Sequence, residues 1–370
     1  MKNSTRRSFI KNSALTAGSL FLFSPFKALF SQELIKKEIP TWRSLVEIAK
    51  WCPTVHNLQP HQIKAISATE AELYYNPKRL LPVEDPQSIF STVALGVFIE
   101  HLSIVAASFG YTITVESLFE PLSIKATTST LFAKLKMIPS SKEEKLGVEL
   151  IKQRRTCRTD YSDLELDETV IENLKQESIM YGQEFYHSSD SELADFITKI
   201  NQETLFTDLE DKATREELDS LFRYNEADAE SLKDGLWTKC MGFSSRMAKS
   251  VFRNHEKWTK GLRKKMLSKH YGSTFKNTTN ICWMKGKFEN MKDWVESGRL
   301  LARTWLTITK GGAYLQPFGS LITNESAYAQ INSRLDKNAG DQKIWMIFRA
   351  GYSKQPKRSF RLDTNELIIS

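Results

Sequence analysis

The spacing of apolar residues predicts a helix and then a loop where the first elements of the chain begin. Leu45 and Ala49 recur at helical spacing after Thr41, whose hydroxyl can cap the first turn. A helix is therefore predicted from residue 41 to about residue 51. Residues 52–60 read CPTVHNLQP, and this mixture of Pro, Asn and other polar residues between two ordered stretches predicts a loop.

A long apolar segment dominates the next part of the pattern. Residues 91–110, STVALGVFIEHLSIVAASFG, carry few charges and a wide apolar face, which predicts a core helix that ends at Gly110. Shorter β-rich runs flank it and predict strands at residues 63–66, 73–75, 112–115 and 131–138.

The second part of the chain repeats this order weakly. A helix is predicted at residues 143–155, a long apolar helix at 298–308 and a closing strand at 343–349. The repetition indicates two similar halves, residues 31–150 and 151–370. Residues from about 200 to 290 interrupt the second half. They are rich in charged and aromatic residues at irregular helical spacing, which we interpret as a helical insertion and a candidate lid.

Composition indicates a globular protein, and the basic charge is partly explained by the N-terminus. The 370 residues are 41% hydrophobic, enough for a sizeable core, and the formal net charge is +8. Residues 1–30 contain five basic residues and no acidic one, so 47 basic and 44 acidic residues remain. This near balance does not predict binding to nucleic acid.

The N-terminus has the organisation of an export signal. STRRSFIK, residues 4–11, precedes a short apolar run and resembles the twin-arginine signal, with Ile10 in place of Leu. The run is too short for a comfortable membrane span. Residues 1–30 are therefore predicted to direct export by the twin-arginine translocase to the periplasm. Since no clear cleavage site follows, the leader is either removed or kept as a membrane anchor.

Familiar catalytic and metal-binding motifs are missing from the sequence. It contains no G-x-S-x-G, H-E-x-x-H, P-loop or G-x-G-x-x-G after a strand. The cysteines occur singly and His56 and His61 are a poor pair of ligands, so no metal site is predicted. Buried free thiols are the simplest interpretation of the cysteines. The alternative is that some of them pair in an oxidising compartment, and their spacing does not indicate which.

Two segments group side chains that suit a small anionic ligand. In IKQRRTCRTD, residues 151–160, three arginines surround Thr156 at a predicted helix end, which favours an anion such as a phosphate. In PTVHNLQP, residues 53–60, a hydroxyl and two amides lie on a proline-stiffened loop. Taken separately, the first segment is equally consistent with a solvated helix end, and the second with a turn whose polar groups are satisfied internally.

Taken together, the two segments resemble the nitroreductase family of FMN proteins, and most closely its Acg-type flavin-binding branch. The family loops read R-R-S-x-R and P-S-x-x-N-x-Q-P. The resemblance extends to NPKRLLPVEDP, to ARTWLTITKGGAYLQPFG at residues 302–319 and to FRAGYSKQPKRSFR at residues 348–361. It implies an α+β, nitroreductase-like fold.

The resemblance also implies where a cofactor would bind. Ordinary members of the family are homodimers with two FMN sites, each built from both subunits. Here each loop occurs once, which implies a pseudo-dimer fused in one chain, with a single FMN site and no need to dimerise beyond a weak oligomer. SIMYGQEFYH stands where a second P-S-x-x-N loop would fall.

The residues that match the family's cofactor positions have distinct implied roles. Arg154, Thr156 and Thr54 match positions that hold the phosphate, and Arg358 or Arg361 would close that pocket. Arg158 matches a cation near the flavin pyrimidine ring, and the backbone amides of Gln316 to Gly319 match a stretch that faces the flavin N5 in the family. The full set of candidate cofactor-binding residues is Thr54, Asn57, Gln59, Arg154, Arg155, Thr156, Arg158, Gln316, Gly319, Arg358 and Arg361.

Two functions follow from this resemblance. The first is an FMN-dependent oxidoreductase that reduces a nitro, quinone or similar acceptor by two electrons, with NAD(P)H or another electron donor. The alternative is a protein that binds and sequesters FMN without turnover. An open flavin face would favour the enzyme, whereas aromatic or aliphatic side chains of the insertion packed on the ring would favour the binding protein.

Overall fold

Two four-stranded antiparallel sheets form the frame of the described part of the protein. The computed structural model describes residues 38–336 and 340–370. The predicted leader, residues 1–30, lies outside the described residues. Helices and strands occur together in both halves, so the predicted α+β class is confirmed.

The first half contains two helices and one sheet. Its elements are α1 (Trp42–Ala49), β1 (His61–Ala65), β2 (Glu70–Tyr75), α2 (Ile89–Ala107), β3 (Tyr111–Leu118) and β4 (Thr130–Pro139). The Thr41 side chain accepts a hydrogen bond from the Ser44 amide and caps α1 as predicted. The hairpin, the long helix and both later strands are confirmed, with boundaries that differ by a few residues.

Helix α2 is apolar on all sides because it is buried on all sides. Among the described residues it is the one helix long and apolar enough to cross a membrane by length and composition, and 89% of the relevant window is buried within the fold. Leu95, Phe98 and Leu102 are fully buried, and they identify α2 as a core helix.

The second half contains the other sheet and most of the helices. It begins with α3 (Val148–Gln153), α4 (Glu168–Met180) and β5 (Glu184–Ser188), and after the insertion it continues with β8 (Asn280–Gly286), α12 (Met291–Lys310), β9 (Tyr314–Pro317), α13 (Ser320–Thr323), α14 (Glu325–Leu335), β10 (Lys343–Gly351) and α15 (Thr364–Leu367).

The insertion separates β5 from β8. It contains α5 (Ser191–Glu210), α6 (Lys212–Leu221), β6 (Phe222–Arg223), α7 (Glu226–Leu232), β7 (Leu236–Trp237), α8 (Thr238–Met241), α9 (Ser245–Arg253), α10 (His255–Trp258) and α11 (Gly261–Ser273). Its largely helical character agrees with the prediction.

Two predicted boundaries are wrong. The helix predicted at residues 143–155 is only α3, because the chain reaches helical conformation after Gly147 and the Glu144 side chain instead pairs with Arg303. Residues 280–286, assigned to the insertion, form β8 at the centre of the second sheet. Most of this strand is buried on both faces, so its sequence lacks the alternation of apolar and polar residues that identifies a half-exposed strand.

The two sheets share one strand order. Counted along each half, the strands lie in the order first, second, fourth, third: β1-β2-β4-β3 in one sheet and β5-β8-β10-β9 in the other. In each half a helix precedes the first strand, and a long helix, α2 or α12, joins the second strand to the third.

Helices α2 and α12 meet through a reciprocal pair of glycines. A Cβ atom on Gly96 would lie 2.2 Å from the Val295 carbonyl oxygen, and one on Gly298 would lie 2.0 Å from that of Val93. The two contacts are related by the same residue offset. Any larger side chain at either glycine would therefore force the helices apart. The main core joins residues from both halves around this crossing.

Candidate functional site

A small cavity lined by cations lies at the end of α3. Its volume is about 40 Å³, and no Asp or Glu lines it. The lining residues are Trp51, Ile151, Arg154, Arg155, Thr156, Arg158, Cys240, Lys357, Arg358, Ser359 and Arg361. Five arginines and one lysine thus meet without a carboxylate to balance them.

Arg154 is the most buried cation of this cluster. Only 6% of the residue is exposed, and its Nε and Nη1 atoms have no hydrogen-bond partner among the described residues. Its guanidinium carbon lies 4.6 Å from the centroid of the Trp305 ring. Burial, reinforced by the charges of Arg361, Arg155 and Arg358, holds the pKa of Arg154 well below its ordinary value. This pattern indicates a site for an anion.

Arg358 and Arg361 share the other aromatic wall. Their guanidinium carbons lie 4.1 Å and 5.7 Å from the Trp51 ring centroid. Arg361 also donates to the Cys52 carbonyl at 3.3 Å, but its buried Nε has no partner among the described residues. Burial, together with neighbouring cations, lowers the pKa of each of these two arginines to about 10.

The loop at residues 53–60 is held in an unusual backbone conformation. His56, Asn57 and Gln59 all have positive φ values, of 45°, 60° and 52°. Such conformations cost about 1 kcal/mol or more each in residues other than glycine, and they persist where surrounding contacts impose them. The loop therefore presents its polar side chains in a fixed arrangement.

Gln59 is the residue that braces this loop. Its side-chain amide donates to the Asn57 and Lys233 carbonyls, both at 2.9 Å, and its carbonyl accepts from the Leu362 amide at 2.9 Å. Gln59 lines neither cavity. By contrast, Asn57 lines the larger cavity described next, and its buried Oδ1 has no partner among the described residues.

A larger cavity, of about 560 Å³, adjoins the cationic one and shares six lining residues with it. One wall comes from the loop, including Thr54 and Asn57, and another from α2 and α12, including Val97 and Trp305. The Thr54 hydroxyl accepts a hydrogen bond from the backbone N–H of Gln59 at 3.0 Å. The geometry therefore combines a cationic end with a mainly apolar chamber.

The segment after β9 forms a further part of the chamber wall. Gln316 and Gly319 both line it, and a Cβ atom on Gly319 would meet nothing within 4 Å. The Gln316 side chain accepts a hydrogen bond at 2.8 Å from Arg349, which is fully buried between the rings of Tyr161 and Phe275.

The insertion supplies much of the remaining wall. Its aromatic side chains in the lining are Phe222, Trp237, Phe243, Phe252 and Tyr271. The insertion thus covers the chamber with rings of the kind that stack on planar ligands.

A group of titratable residues lies on the chamber wall. The His56 ring contacts the Glu84 carboxylate through Nε2, and Asp208 of α5 also lines the chamber. Burial, with the charges of Glu84 and Asp211, raises the pKa of Asp208 to about 7. A carboxyl group in this state can hold or release a proton near neutral pH.

The structure brings together all but one of the predicted cofactor-binding residues in these two cavities, the exception being Gln59. The residues that line one or both are Thr54, Asn57, Arg154, Arg155, Thr156, Arg158, Gln316, Gly319, Arg358 and Arg361. Sequence reasoning missed Trp51, Trp305 and Asp208, because single aromatic and acidic residues show no spacing signal. The run of aromatic residues in the insertion was the available clue to its role in the wall.

Comparisons with known proteins give structural likenesses at low identity. No family model matches the sequence, and no curated protein matches it. A nitroreductase-like family protein from Bacillus cereus shares 14% identity over 61% of this chain and 96% of its own, with a TM-score of 0.32.

Two further solved structures are similar to the chain to the same degree. The FMN-dependent nitroreductase NfnB from Mycobacterium smegmatis, in complex with NADPH, shares 14% identity over 57% of this chain and 93% of its own, with a TM-score of 0.33. A nitroreductase with bound FMN from Bacteroides fragilis shares 11% identity over 58% and 92%, with a TM-score of 0.34.

Proposed function

We propose that this protein binds FMN at the paired cavities and uses it as an oxidoreductase. The observation that carries the proposal is Arg154, a buried guanidinium with two unpartnered nitrogen atoms among other cations and no acid in the cavity lining. A buried charge requires a counter-charge. A phosphate supplies one, and its several oxygens suit the convergent donors of the cluster.

The residues present fit the two chemically different parts of FMN. Arg154, Arg361 and Thr156 would hold the phosphate at the cationic end. The apolar chamber would hold the flavin ring between the α2 and α12 wall and the insertion. Arg158 lines both cavities, which suits the role of a cation beside the flavin pyrimidine ring.

The proposed reaction is two-electron reduction of a nitro, quinone or similar acceptor, with NAD(P)H or another donor. Bound FMN would supply the hydride chemistry, while this chain binds and orients the ring and excludes water. Asp208 would hold a proton on the chamber wall for delivery to the acceptor. These roles together need only the described cavity residues.

A second candidate function is FMN sequestration without turnover. The observation that favours it is the aromatic wall of the insertion, with Trp237 and Phe243 among the lining residues. If these rings cover the flavin, a second substrate has no access to it. Anaerobic addition of NADPH to the yellow protein tests for turnover. Bleaching supports the oxidoreductase, whereas its absence favours sequestration or an oxidoreductase that uses a different electron donor.

We further propose that the two halves are a fused pseudo-dimer with one FMN site. The shared strand order and the reciprocal Gly96 and Gly298 contacts support it. The loop between α1 and β1 is long and lines the chamber, whereas the corresponding turn between α4 and β5 spans only residues 181–183. Saturation at one FMN per chain is expected, and two would contradict the pseudo-dimer.

The cellular location is likewise a proposal. STRRSFIK supports export by the twin-arginine translocase. That route carries folded proteins, which suits a chain that takes up FMN before export.

Titration of the FMN-free protein with FMN tests the proposed function. Arg154→Met should weaken FMN binding at least about 100-fold, because it removes charge-assisted bonds worth roughly 1.5 to 3 kcal/mol each. The matched control is Arg334→Met, which removes an exposed arginine of α14 outside both cavities. Equal affinity of Arg154→Met and wild type would refute the phosphate site.

A further inference from the structure

A short part of the insertion carries a charge equal to that of the whole chain. Residues 246–269 contain nine basic residues and one acidic residue, a formal charge of +8, and the full chain also has +8. The basic residues are Arg246, Lys249, Arg253, Lys257, Lys260, Arg263, Lys264, Lys265 and Lys269. Residues 31–370 carry 47 basic and 44 acidic residues, so outside residues 246–269 this part of the chain is net negative and its excess of positive charge is concentrated in this segment.

These cations are not neutralised within the described structure. None of the ion pairs among the described residues includes a basic side chain from residues 246–269. Just before this segment, Lys239 pairs with Glu226, so acidic partners exist elsewhere in the insertion. The segment thus has an uncompensated field that attracts anions.

Helix α11 combines this charge with exposed apolar side chains. Leu262 is 79% exposed and Met266 is 61% exposed. Lys265 and Lys269 complete an i, i+3, i+4, i+7 stripe with them, so all four lie on one face of the helix. Leu267, on the opposite side, is 1% exposed and anchors the helix to the insertion.

We propose that this face of α11, with Lys260 at its start, docks on an anionic lipid surface. Lysines at the edge of the stripe match lipid phosphates, while Leu262 and Met266 enter the boundary between headgroups and acyl chains. A nucleic acid would bind the cations but would make no favourable contact with the two exposed apolar side chains on the same face. The apolar pair therefore favours the lipid surface.

Co-sedimentation of the full chain with vesicles tests this docking surface. The chain should bind vesicles of phosphatidylcholine with phosphatidylglycerol and should not bind phosphatidylcholine alone. K260E/K265E/K269E should weaken binding at least roughly 100-fold, since each of the three cations contributes about fivefold near an anionic membrane. K78E/K125E/K292E is the matched control, because it reverses three exposed, unpaired lysines elsewhere and should bind as wild type does.

A second variant separates lipid insertion from simple attraction between charges. L262S/M266S should retain binding at low salt and lose it at high salt, where the lysines are screened. All variants keep the same N-terminus, so differences among them report on α11. An equal loss of vesicle binding in both triple lysine variants would overturn the proposal. Binding to double-stranded DNA that is as tight as binding to vesicles and is unaffected by L262S/M266S would also overturn it. FMN binding is unchanged in all of these variants under the proposal, so its loss would reveal misfolding.

Discussion

Two buried arginines of this protein solve the same electrostatic problem in opposite ways. Arg303, on α12, donates to Glu100 at 2.9 Å, to Glu144 at 3.0 Å and to Glu177 at 2.5 Å. Burial alone would lower the pKa of Arg303, but the hydrogen bonds and charges of these carboxylates raise it. Arg154 has no carboxylate partner in the described part of the chain, and its pKa is lowered by burial and by other arginines.

The difference indicates which cluster is complete without a ligand. The Arg303 cluster is closed, since its charge is matched by groups of the chain itself. In the first half, the position that corresponds to Arg303 is occupied by His101 on α2, because Gly96 and Gly298 are separated by the same number of residues as His101 and Arg303. Burial, followed by the charge of Arg154, lowers the pKa of His101 to about 3, so this histidine is neutral. Only the Arg154 cluster therefore needs an anion from outside.

The largest effect is expected from opening the closed cluster. Arg303→Met leaves the buried Glu100 and Glu177 carboxylates and the half-buried Glu144 carboxylate without this cation, which should lower the free energy of unfolding by about 3 to 5 kcal/mol. Urea denaturation followed by circular dichroism measures this change. Arg334→Met, at an exposed position, serves as the control and should change stability by less than about 0.5 kcal/mol. A loss of unfolding free energy as small as that of the control would show that the ion pairs of Arg303 do not stabilise the fold.

The matching substitution in the open cluster should have the opposite sign. Arg154→Met removes an uncompensated buried charge, so the FMN-free protein should gain about 1 to 3 kcal/mol, less what is lost with the Trp305 contact. The same urea experiment on protein freed of FMN by dialysis measures the gain. Destabilisation comparable to that of Arg303→Met would contradict the view that this cluster is incomplete.

The origin of the two clusters shows how far sequence reasoning reached. The R-R-x-x-R spacing made Arg154 and Arg158 visible because the arginines are close together in the sequence. Arg303 was not visible, since its three partners come from α2, α4 and the segment before α3. The hairpin, α1 and α2 followed from local periodicity. Strand β8 did not, because burial on both faces removes the alternation that would have identified it.

At the candidate site, some residues were likewise predictable from the sequence and others were not. The loop at residues 53–60 was recognised from its composition, and most of its polar residues line the chamber. Gln59 is different, because its side-chain amide braces the loop through hydrogen bonds with the backbone of Lys233 and Leu362, both of which are far from Gln59 in the sequence. The contribution of the insertion to the wall depends on packing between distant segments, which sequence spacing cannot predict.

Asp208 is a half-buried carboxyl group on the chamber wall, and its substitution should give the smallest effect. Burial, with the charges of Glu84 and Asp211, raises the pKa of Asp208 from 3.8 to about 7 in the folded chain. Above pH 7 the folded state must hold a partly desolvated carboxylate, which costs stability. As the pH falls from 7 towards 4, the folded state takes up a proton that the unfolded state does not, so wild type gains stability. A shift of this size would be worth roughly 4 kcal/mol for a fully buried carboxyl group. Because Asp208 is only half-buried, Asp208→Asn should be more stable than wild type by about 1 to 2 kcal/mol at pH 8, with the difference vanishing near pH 4.

Urea denaturation of both proteins between pH 4 and pH 8 measures this difference, and Asp219→Asn, an exposed carboxylate of α6, is the control. A difference that is constant with pH would show that Asp208 is ionised normally in the folded chain. Asp208 would then have no role as a proton donor, since a carboxyl group that ionises normally cannot hold a proton at neutral pH for an acceptor in the chamber. A stability difference that changes with pH as expected would instead show that the chamber excludes enough water to destabilise an unpaired charge of either sign. That same condition explains why Arg154 requires a bound anion.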